Sequence, residues 1–132
     1  MIRVPDAYFQ AVVDFKLPAA DAYATGIAFV AQGADVKSDI AKIAEQEGLV
    51  ILGWREVPIN SSSLGKTALS VMPEFQQLFI AGKNGETGIE LDRLAFCLRK
   101  RAEHALDLYF PSLSSQTIVY KGMLTTGQLE EF

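Results

Sequence analysis

The chain has 132 residues, with 12 basic and 16 acidic side chains and a formal net charge of −4. Because 49% of the residues are hydrophobic, a chain of this length can bury most of its apolar surface. This excludes intrinsic disorder of the entire chain. A mildly acidic chain lacks the clustered Lys and Arg that non-specific nucleic-acid binding needs, and its apolar runs are too short to span a bilayer. We therefore expect no nucleic-acid partner and no membrane partner.

Cysteine and histidine occur once each, as Cys97 and His104. A single cysteine excludes a disulfide framework within the chain and a cysteine-based metal site, and it is typical of a reducing compartment, so we expect a cytoplasmic location. Cys97 falls in the middle of a predicted helix without a base nearby in the sequence, which favours a buried structural thiol over a nucleophile. His104 falls in the last turn of the same helix, where an imidazolium interacts favourably with the helix dipole.

A polar stretch at residues 60–67 comes within one residue of a phosphate-binding P-loop, because Asn60 stands where the first glycine should be. A P-loop leads into a long helix whose N-terminus holds the phosphates. Pro73 ends the predicted helix after about one turn, so nucleotide binding is not favoured here.

The first third of the chain predicts a helix, a strand and a second helix. The first helix is expected at residues 7–14, with Asp6 as its N-cap. Residues 23–31 are rich in β-branched and aromatic side chains and predict a strand. The second helix is expected at residues 36–47, capped by Asp35. Its apolar residues share one face, namely Val36, Ile40, Ile43 and Ala44.

The middle of the chain predicts two strands separated by a loop. Gly48 can adopt the left-handed conformation that ends a helix, so it is expected to end the preceding one. Residues 49–59 then predict a long strand with a bulge at Gly53. Residues 67–71 predict a short helical segment, and residues 75–81 predict the next strand.

The longest helix is expected at residues 89–106, after a turn at residues 82–85. Thr87 and Glu90 have the spacing of a capping box. Apolar residues recur at the helical interval and predict one buried stripe. They are Leu91, Leu94, Ala95, Leu98, Ala102 and Ala105.

The C-terminal part predicts a hairpin and a last helix. Residues 108–113 and 117–124 are extended segments, and the short separator at residues 114–116 suits a turn between them. Thr125 and Gln128 have the spacing of a second capping box, for a helix that continues to the end of the chain.

From residue 23 to residue 114 the predicted order is β-α-β-β-α-β. This is the split-βαβ or ferredoxin-like order. The sequence therefore predicts an α+β fold in which the helices at residues 36–47 and 89–106 cover one face of an antiparallel sheet.

Two dense motifs point to a family, GWREVP at residues 53–58 and SSQTIVYKGML at residues 114–124. Together with the segments at residues 4–29 and 98–106, in this order, they resemble the middle of the N-terminal glutaminase domain of the glutamate synthase large subunit. The resemblance covers residues 4–132, nearly the whole chain.

The resemblance implies an N-terminal-nucleophile hydrolase fold and class II glutamine amidotransfer. In that family the first residue of the mature protein is a cysteine whose own α-amino group acts as base. Its thiolate attacks the glutamine side-chain amide, while an asparagine and a backbone N–H stabilise the oxyanion. The ammonia then travels to a flavin-bearing synthase domain, where 2-oxoglutarate becomes glutamate. FMN and an iron–sulfur cluster are implied elsewhere in the full-length protein of the family, and no cofactor is expected in this chain.

The resemblance carries no catalytic residue onto this chain. The chain begins past the family's nucleophilic cysteine and ends before its substrate-binding arginine and oxyanion motifs. Cys97 cannot serve as an N-terminal nucleophile, because its backbone nitrogen is in a peptide bond. What the resemblance implies is a scaffold role. The candidate supporting residues are Trp54, Arg55, Ser114, Ser115, Thr117, Tyr120 and Lys121.

Two interpretations of the chain remain at this point. In the first, residues 1–132 are one domain, a segment of a type 2 glutamine amidotransferase domain that lacks its nucleophile and its C-terminal substrate loops. The partner is then the remainder of the large subunit, and the segment is inactive alone. In the second, the chain is a stand-alone ferredoxin-like module for ligand binding or self-association. Exposed strand edges and apolar surface in an isolated segment favour a homodimer.

Overall fold

The computed structural model describes residues 1–121 and residue 127. The strands are β1 (Ile2–Arg3), β2 (Ala24–Val30), β3 (Leu49–Glu56), β4 (Glu74–Gly82), β5 (Leu108–Tyr109) and β6 (Thr117–Ile118). The helices are α1 (Asp6–Val12), α2 (Lys37–Gln46), α3 (Lys66–Val71) and α4 (Gly88–Ala105). The last predicted helix, introduced by Thr125, lies outside the described residues apart from residue 127.

The main sheet has four strands in the order β3-β4-β2-β5. Strand β4 pairs with β2 and with β3, and β2 also pairs with β5, in each case antiparallel. Strand β4 therefore lies between the two strands that α2 connects, which is the split-βαβ arrangement. The predicted ferredoxin-like order is confirmed.

Helices α2 and α4 cover the same face of this sheet, which we call the helix face. Side chains two residues apart on a strand point to the same side, so alternate residues of β2 and β4 meet the helices. The core on this face includes Ala24, Ala28, Val30, Ile40, Ala44, Leu78, Ile80, Leu91, Ala95, Leu98 and Ala102. The predicted stripe of α4 is confirmed except at Ala105, which is exposed at the end of the helix.

Cys97 lies on the exposed side of α4, so the prediction of a buried thiol is wrong. Successive residues of a helix are about 100° apart. Cys97 is therefore about 200° around the axis from buried Ala95 and points away from the sheet. The prediction of burial relied on the apolar residues next to Cys97 in the sequence. The period of the buried stripe, by contrast, already placed the thiol on the exposed side of the helix.

The opposite face of the sheet is covered by aromatic side chains, and we call it the aromatic face. The ring centroid of Phe79 lies 5.3 Å from that of Phe9, 5.4 Å from that of Phe15 and 6.0 Å from that of Tyr23. Strands β1 and β6 pair as a separate antiparallel ribbon, and Ile118 of this ribbon is buried in the same cluster. The sheet is thus buried on both sides, which explains why β2 is apolar almost throughout.

A β-bulge in β3 decides where two neighbouring side chains point. The register of β3 against β4 shifts between Ile51 and Gly53. The extra residue reverses the alternation of side chains, so Trp54 packs on the helix face with Ile51, while Arg55 points to the aromatic face. The predicted bulge is confirmed. A Cβ on Gly53 would overlap the ring of Phe15, so this glycine also allows the close approach of the N-terminal segment.

The predicted helix caps are only partly correct. Asp6 is the first residue inside α1, and Val36 rather than Asp35 is the N-cap of α2. Thr87 is the N-cap of α4, but its side chain makes no capping hydrogen bond. Gly48 has a φ of 77°, which confirms the predicted left-handed end of the second helix.

The predicted hairpin of residues 108–113 and 117–124 is wrong. Strand β5 pairs with β2, whereas β6 pairs with β1. Between them the chain continues beside β2, where Ser114 forms an antiparallel β-bridge with Thr25. Extended sequence therefore indicated strands, but it did not specify which strand each would join.

We expect Gly26→Ala to lower the free energy of unfolding by about 1–3 kcal/mol. A Cβ on Gly26 would overlap the carbonyl oxygen of Ser112, which is backbone and cannot rotate away. Urea unfolding measures the effect. Gly65→Ala is the matched control, because no atom lies within 4 Å of a Cβ there, and it should change stability by less than about 0.5 kcal/mol. Equal stabilities for the two variants would contradict the close approach of Ser112 to Gly26.

Candidate functional site

The structure places the predicted supporting residues in separate locations. Ser114, Ser115 and Thr117 lie together in the turn beside α4, while Arg55 and Tyr120 lie near each other on the aromatic face. Trp54 lies on the helix face with Lys37 over its ring, and Lys121 contacts Tyr109 at the end of β5. These residues therefore form two groups, and Trp54 and Lys121 lie apart from both. Their order in the sequence did not show this.

Arg55 is the centre of a polar group on the aromatic face, which we call the Arg55 cluster and which comprises Tyr8, Arg55, Gln77 and Tyr120. The Nη2 of Arg55 donates a hydrogen bond to the Tyr8 hydroxyl over 3.0 Å, and its Nη1 donates to Gln77 Oε1 over 3.2 Å. The guanidinium also lies 5.5 Å from the centroid of the Tyr8 ring, within the range of a cation–π contact. One side chain of β3 thereby joins α1 to β4.

Gln77 continues the cluster into the core. Its Nε2 donates to the Thr25 hydroxyl over 2.9 Å, and that hydroxyl donates to the Leu78 carbonyl over 2.9 Å. Both Gln77 and Thr25 are fully buried. A satisfied chain of hydrogen bonds in a medium of low dielectric fixes each member in one orientation, so Gln77 presents its carbonyl oxygen to Arg55.

The environment of Tyr120 raises the pKa of its phenol above the ordinary value. Partial burial raises the pKa of this phenol, the nearby Arg55 guanidinium lowers it, and Tyr8 raises it, with burial the largest of the three effects. Tyr120 is therefore available as a neutral hydrogen-bond donor beside the arginine.

Asp92 of α4 holds the turn at residues 112–117, which we call the serine turn. Its Oδ2 accepts a hydrogen bond from the Ser114 hydroxyl over 3.0 Å, and its Oδ1 accepts one from the Ser115 backbone N–H over 2.6 Å. The Ser115 hydroxyl donates to the Gly88 carbonyl over 3.3 Å. The serine hydroxyls are therefore engaged in holding the turn against the helix.

A second carboxylate orders the entry to β2. Tyr23 donates a hydrogen bond to Asp6 Oδ1 over 2.8 Å. Burial raises the pKa of the Tyr23 phenol, and the hydrogen bond and the negative charge of Asp6 raise it further. Both residues line a cavity of about 260 Å³ that also borders the serine turn at Ser115 and Gln116.

Several residues of these groups were missed by sequence reasoning. They are Tyr8, Thr25, Gln77 and Asp92. The only sequence signal was polar Gln77 inside an apolar strand, which indicates a buried amide with a partner. Asp92 gave no signal, because its hydrogen-bond partner Ser114 lies 22 residues away along the chain.

The residues present do not fit an iron–sulfur cluster. Within residues 1–121 and 127, no three His, Cys, Asp or Glu side chains come together in a way that could hold a metal ion, and Cys97 is the only cysteine of the sequence. Such a cluster needs several thiolate ligands. In the same part of the chain, no helix is long and apolar enough to cross a bilayer.

A family model and individual relatives both relate this chain to glutamine amidotransferases and glutamate synthases. A model of class-II glutamine amidotransferases matches residues 1–132. The chain is 39% identical over 143 residues to the large chain of NADPH glutamate synthase from Bacillus subtilis, covering 100% of this chain and 9% of the relative. It is 43% identical over 105 residues to ferredoxin-dependent glutamate synthase 1 from Arabidopsis thaliana, covering 74% of this chain and 6% of the relative.

A third relative, the large chain of NADPH glutamate synthase from Azospirillum brasilense, is 35% identical over 91 residues, covering 64% of this chain and 6% of the relative.

The chain belongs to the class-II glutamine amidotransferase family. The resemblance found in the sequence motifs is confirmed. The chain spans less than a tenth of the length of these relatives.

We expect Asp92→Ala to lower the free energy of unfolding by about 1–3 kcal/mol, because it leaves the Ser115 N–H and the Ser114 hydroxyl without their acceptor. Chemical denaturation at neutral pH measures this. Asp35→Ala is the control, since the exposed Asp35 carboxylate makes no hydrogen bond with the described residues, and it should stay within about 0.5 kcal/mol of the parent. An Asp92→Ala variant as stable as the control would show that the serine turn does not depend on this carboxylate.

Stability should fall as the pH rises above about 10, the ordinary pKa of tyrosine. Because the folded state raises the pKa of Tyr23, the unfolded state loses its phenolic proton first, and each further pH unit favours unfolding by at most about 1.4 kcal/mol for this one group. Urea unfolding between pH 8 and about 11 measures the slope. Tyr23→Phe should flatten it, whereas Tyr109→Phe, which changes an exposed ring, should keep it. An unchanged slope in Tyr23→Phe would contradict this assignment.

Proposed function

We propose that this chain is a scaffold segment of the glutaminase domain of a glutamate synthase and is inactive on its own. The observation that carries this proposal is the family match over residues 1–132, together with relatives that are glutamate synthase large chains. In such an enzyme the glutaminase reaction releases ammonia from glutamine, and the ammonia serves glutamate synthesis. No observation favours the alternative of a stand-alone ligand-binding module.

The use of the polar side chains supports a scaffold role. Arg55 is engaged with Tyr8 and Gln77, and Asp92 is engaged with the serine turn. Side chains that make internal hydrogen bonds of this kind hold together the backbone segments that they join. Class II chemistry also needs a thiol beside a free α-amine, and exposed Cys97 lies inside α4 with its nitrogen in a peptide bond.

The predicted residues then act as positioning residues. Arg55 and Tyr120 orient the aromatic face, and Ser114, Ser115 and Thr117 orient the segment that leads into β6. Trp54 and Lys121 stabilise the two ends of the sheet by packing against Lys37 and Tyr109 respectively. In this proposal, residues 1–132 belong to one glutaminase domain, and other parts of a longer chain supply the nucleophile and the substrate-binding loops.

The remaining parts of the proposal concern the surroundings of the segment. Its partner is the remainder of the large subunit, its location is cytoplasmic, and FMN and the iron–sulfur cluster belong to other regions of the longer chain. Formation of a homodimer by the isolated chain stays a prediction, which sedimentation equilibrium would test.

We expect the purified 132-residue chain to release no ammonia from glutamine above the buffer blank. In the 132-residue chain no cysteine thiol lies beside a free α-amine, and the loss of an oxyanion donor alone costs about 100- to 1000-fold in such reactions. A coupled ammonia assay measures this. Cys97→Ala should leave the blank-level reading unchanged. Turnover by the parent chain that disappears in Cys97→Ala would overturn the proposal, because it would make Cys97 a nucleophile.

A longer chain that includes this segment provides the positive arm of the test. It should hydrolyse glutamine in the same assay, and Cys97→Ala in that longer chain should keep full activity. Failure of the longer chain to hydrolyse glutamine would refute the assignment to a glutaminase domain.

A further inference from the structure

The connection between β3 and β4 leaves several large apolar side chains exposed to solvent. Residues 57–73 run through α3, a helix with no buried residue. The exposed apolar side chains and their exposed fractions are Ile59 51%, Leu64 41%, Leu69 39% and Val71 75%. Polar contacts hold the connection to the sheet, because Gln32 Nε2 donates to the carbonyls of Leu69 over 3.1 Å and Met72 over 2.6 Å. The apolar side chains are therefore left for another surface.

A cavity of about 660 Å³ opens beside this connection. Val57, Met72 and Phe75 provide apolar walls, and Glu56 and Glu74 stand at its polar side. Neither carboxylate forms an ion pair with the part of the chain that the structure describes. The cavity thus combines apolar walls with unneutralised negative charge.

Gln76 adds an unsatisfied acceptor to the same cavity. Its Oε1 is buried and has no hydrogen-bond partner among the described residues, while its Nε2 donates to Glu74 over 3.3 Å. Gln76 lies opposite Glu56 in the pairing of β3 and β4. A buried acceptor without a donor costs free energy unless something supplies that donor. The missing group is therefore a hydrogen-bond donor, and the adjacent Glu56 and Glu74 carboxylates favour a donor that is cationic.

We propose that the cavity and residues 57–73 form a docking surface for a polypeptide segment that carries a Lys or Arg between apolar side chains. The basic group would lie between Glu56 and Glu74 and donate to Gln76 Oε1, and its aliphatic stem would contact the apolar walls. A free cation would satisfy the acceptors but leave the exposed side chains of the connection uncovered. The apolar rim therefore favours a polypeptide.

The occupant is a segment of the longer chain, so this inference rests on the proposed function. A second copy fits less well. An exposed basic and apolar pair is present in Phe96 and Lys100 on α4, but a contact between α4 of one copy and the cavity of another is head-to-tail. Unless both copies make this contact reciprocally, it produces rings or open chains of molecules instead of a closed dimer.

Hydrogen exchange measured by mass spectrometry tests the docking surface in the longer chain. We expect amides of residues 57–73 to exchange at least about 10-fold more slowly there than in the 132-residue chain, which corresponds to about 1.4 kcal/mol of protection. In the longer chain, the double variant Glu56→Gln with Glu74→Gln should lose this protection. Glu90→Gln, which changes an exposed carboxylate on α4, should retain it.

Two outcomes would overturn the docking surface. One is equal exchange of residues 57–73 in both chains while the longer chain hydrolyses glutamine. The other is protection in the 132-residue chain that rises with protein concentration, since this would make a second copy the occupant. Glutaminase activity of the double variant shows that it is folded. A longer chain that lacks glutaminase activity but protects residues 57–73 would refute the proposed function and leave the docking surface supported.

Discussion

Strand β4 is the element on which the rest of the structure depends, because it lies between β2 and β3 and is buried on both sides. Leu78 and Ile80 pack under α2 and α4, while Phe79 is the centre of the aromatic face, and all three are fully buried. A strand buried on both faces couples the two layers that cover it. The helix face and the aromatic face are therefore held in one relative position by the same few residues.

Gln77 is the polar exception in this strand, and it connects packing to the candidate site. Burying an amide is costly unless its donors and acceptor are satisfied. Thr25 accepts from its amide nitrogen, and Arg55 donates to its oxygen. Buried Gln77 therefore fixes the orientation of the Arg55 guanidinium, although the arginine itself is partly exposed.

The sequence by itself determined the type and order of the main elements. The helices around residues 36–47 and 89–106 and the strands around residues 23–31 and 75–81 were predicted correctly, because each is encoded by a local period of apolar residues. The order of these elements then limited the topology to the split-βαβ arrangement. The motif at residues 53–58 identified the family, since that information is carried by residue identity and needs no knowledge of contacts.

The tertiary structure alone decided which groups meet. The bulge in β3 sends Arg55 to the aromatic face and Trp54 to the helix face, and without the extra residue the two side chains would exchange faces. Asp92 reaches the serine turn from another element, and the extended segments near the C-terminus join β2 and β1 instead of each other. These outcomes depend on contacts between residues far apart in the chain, where side-chain packing and hydrogen-bond satisfaction select one pairing among several that local propensity permits equally.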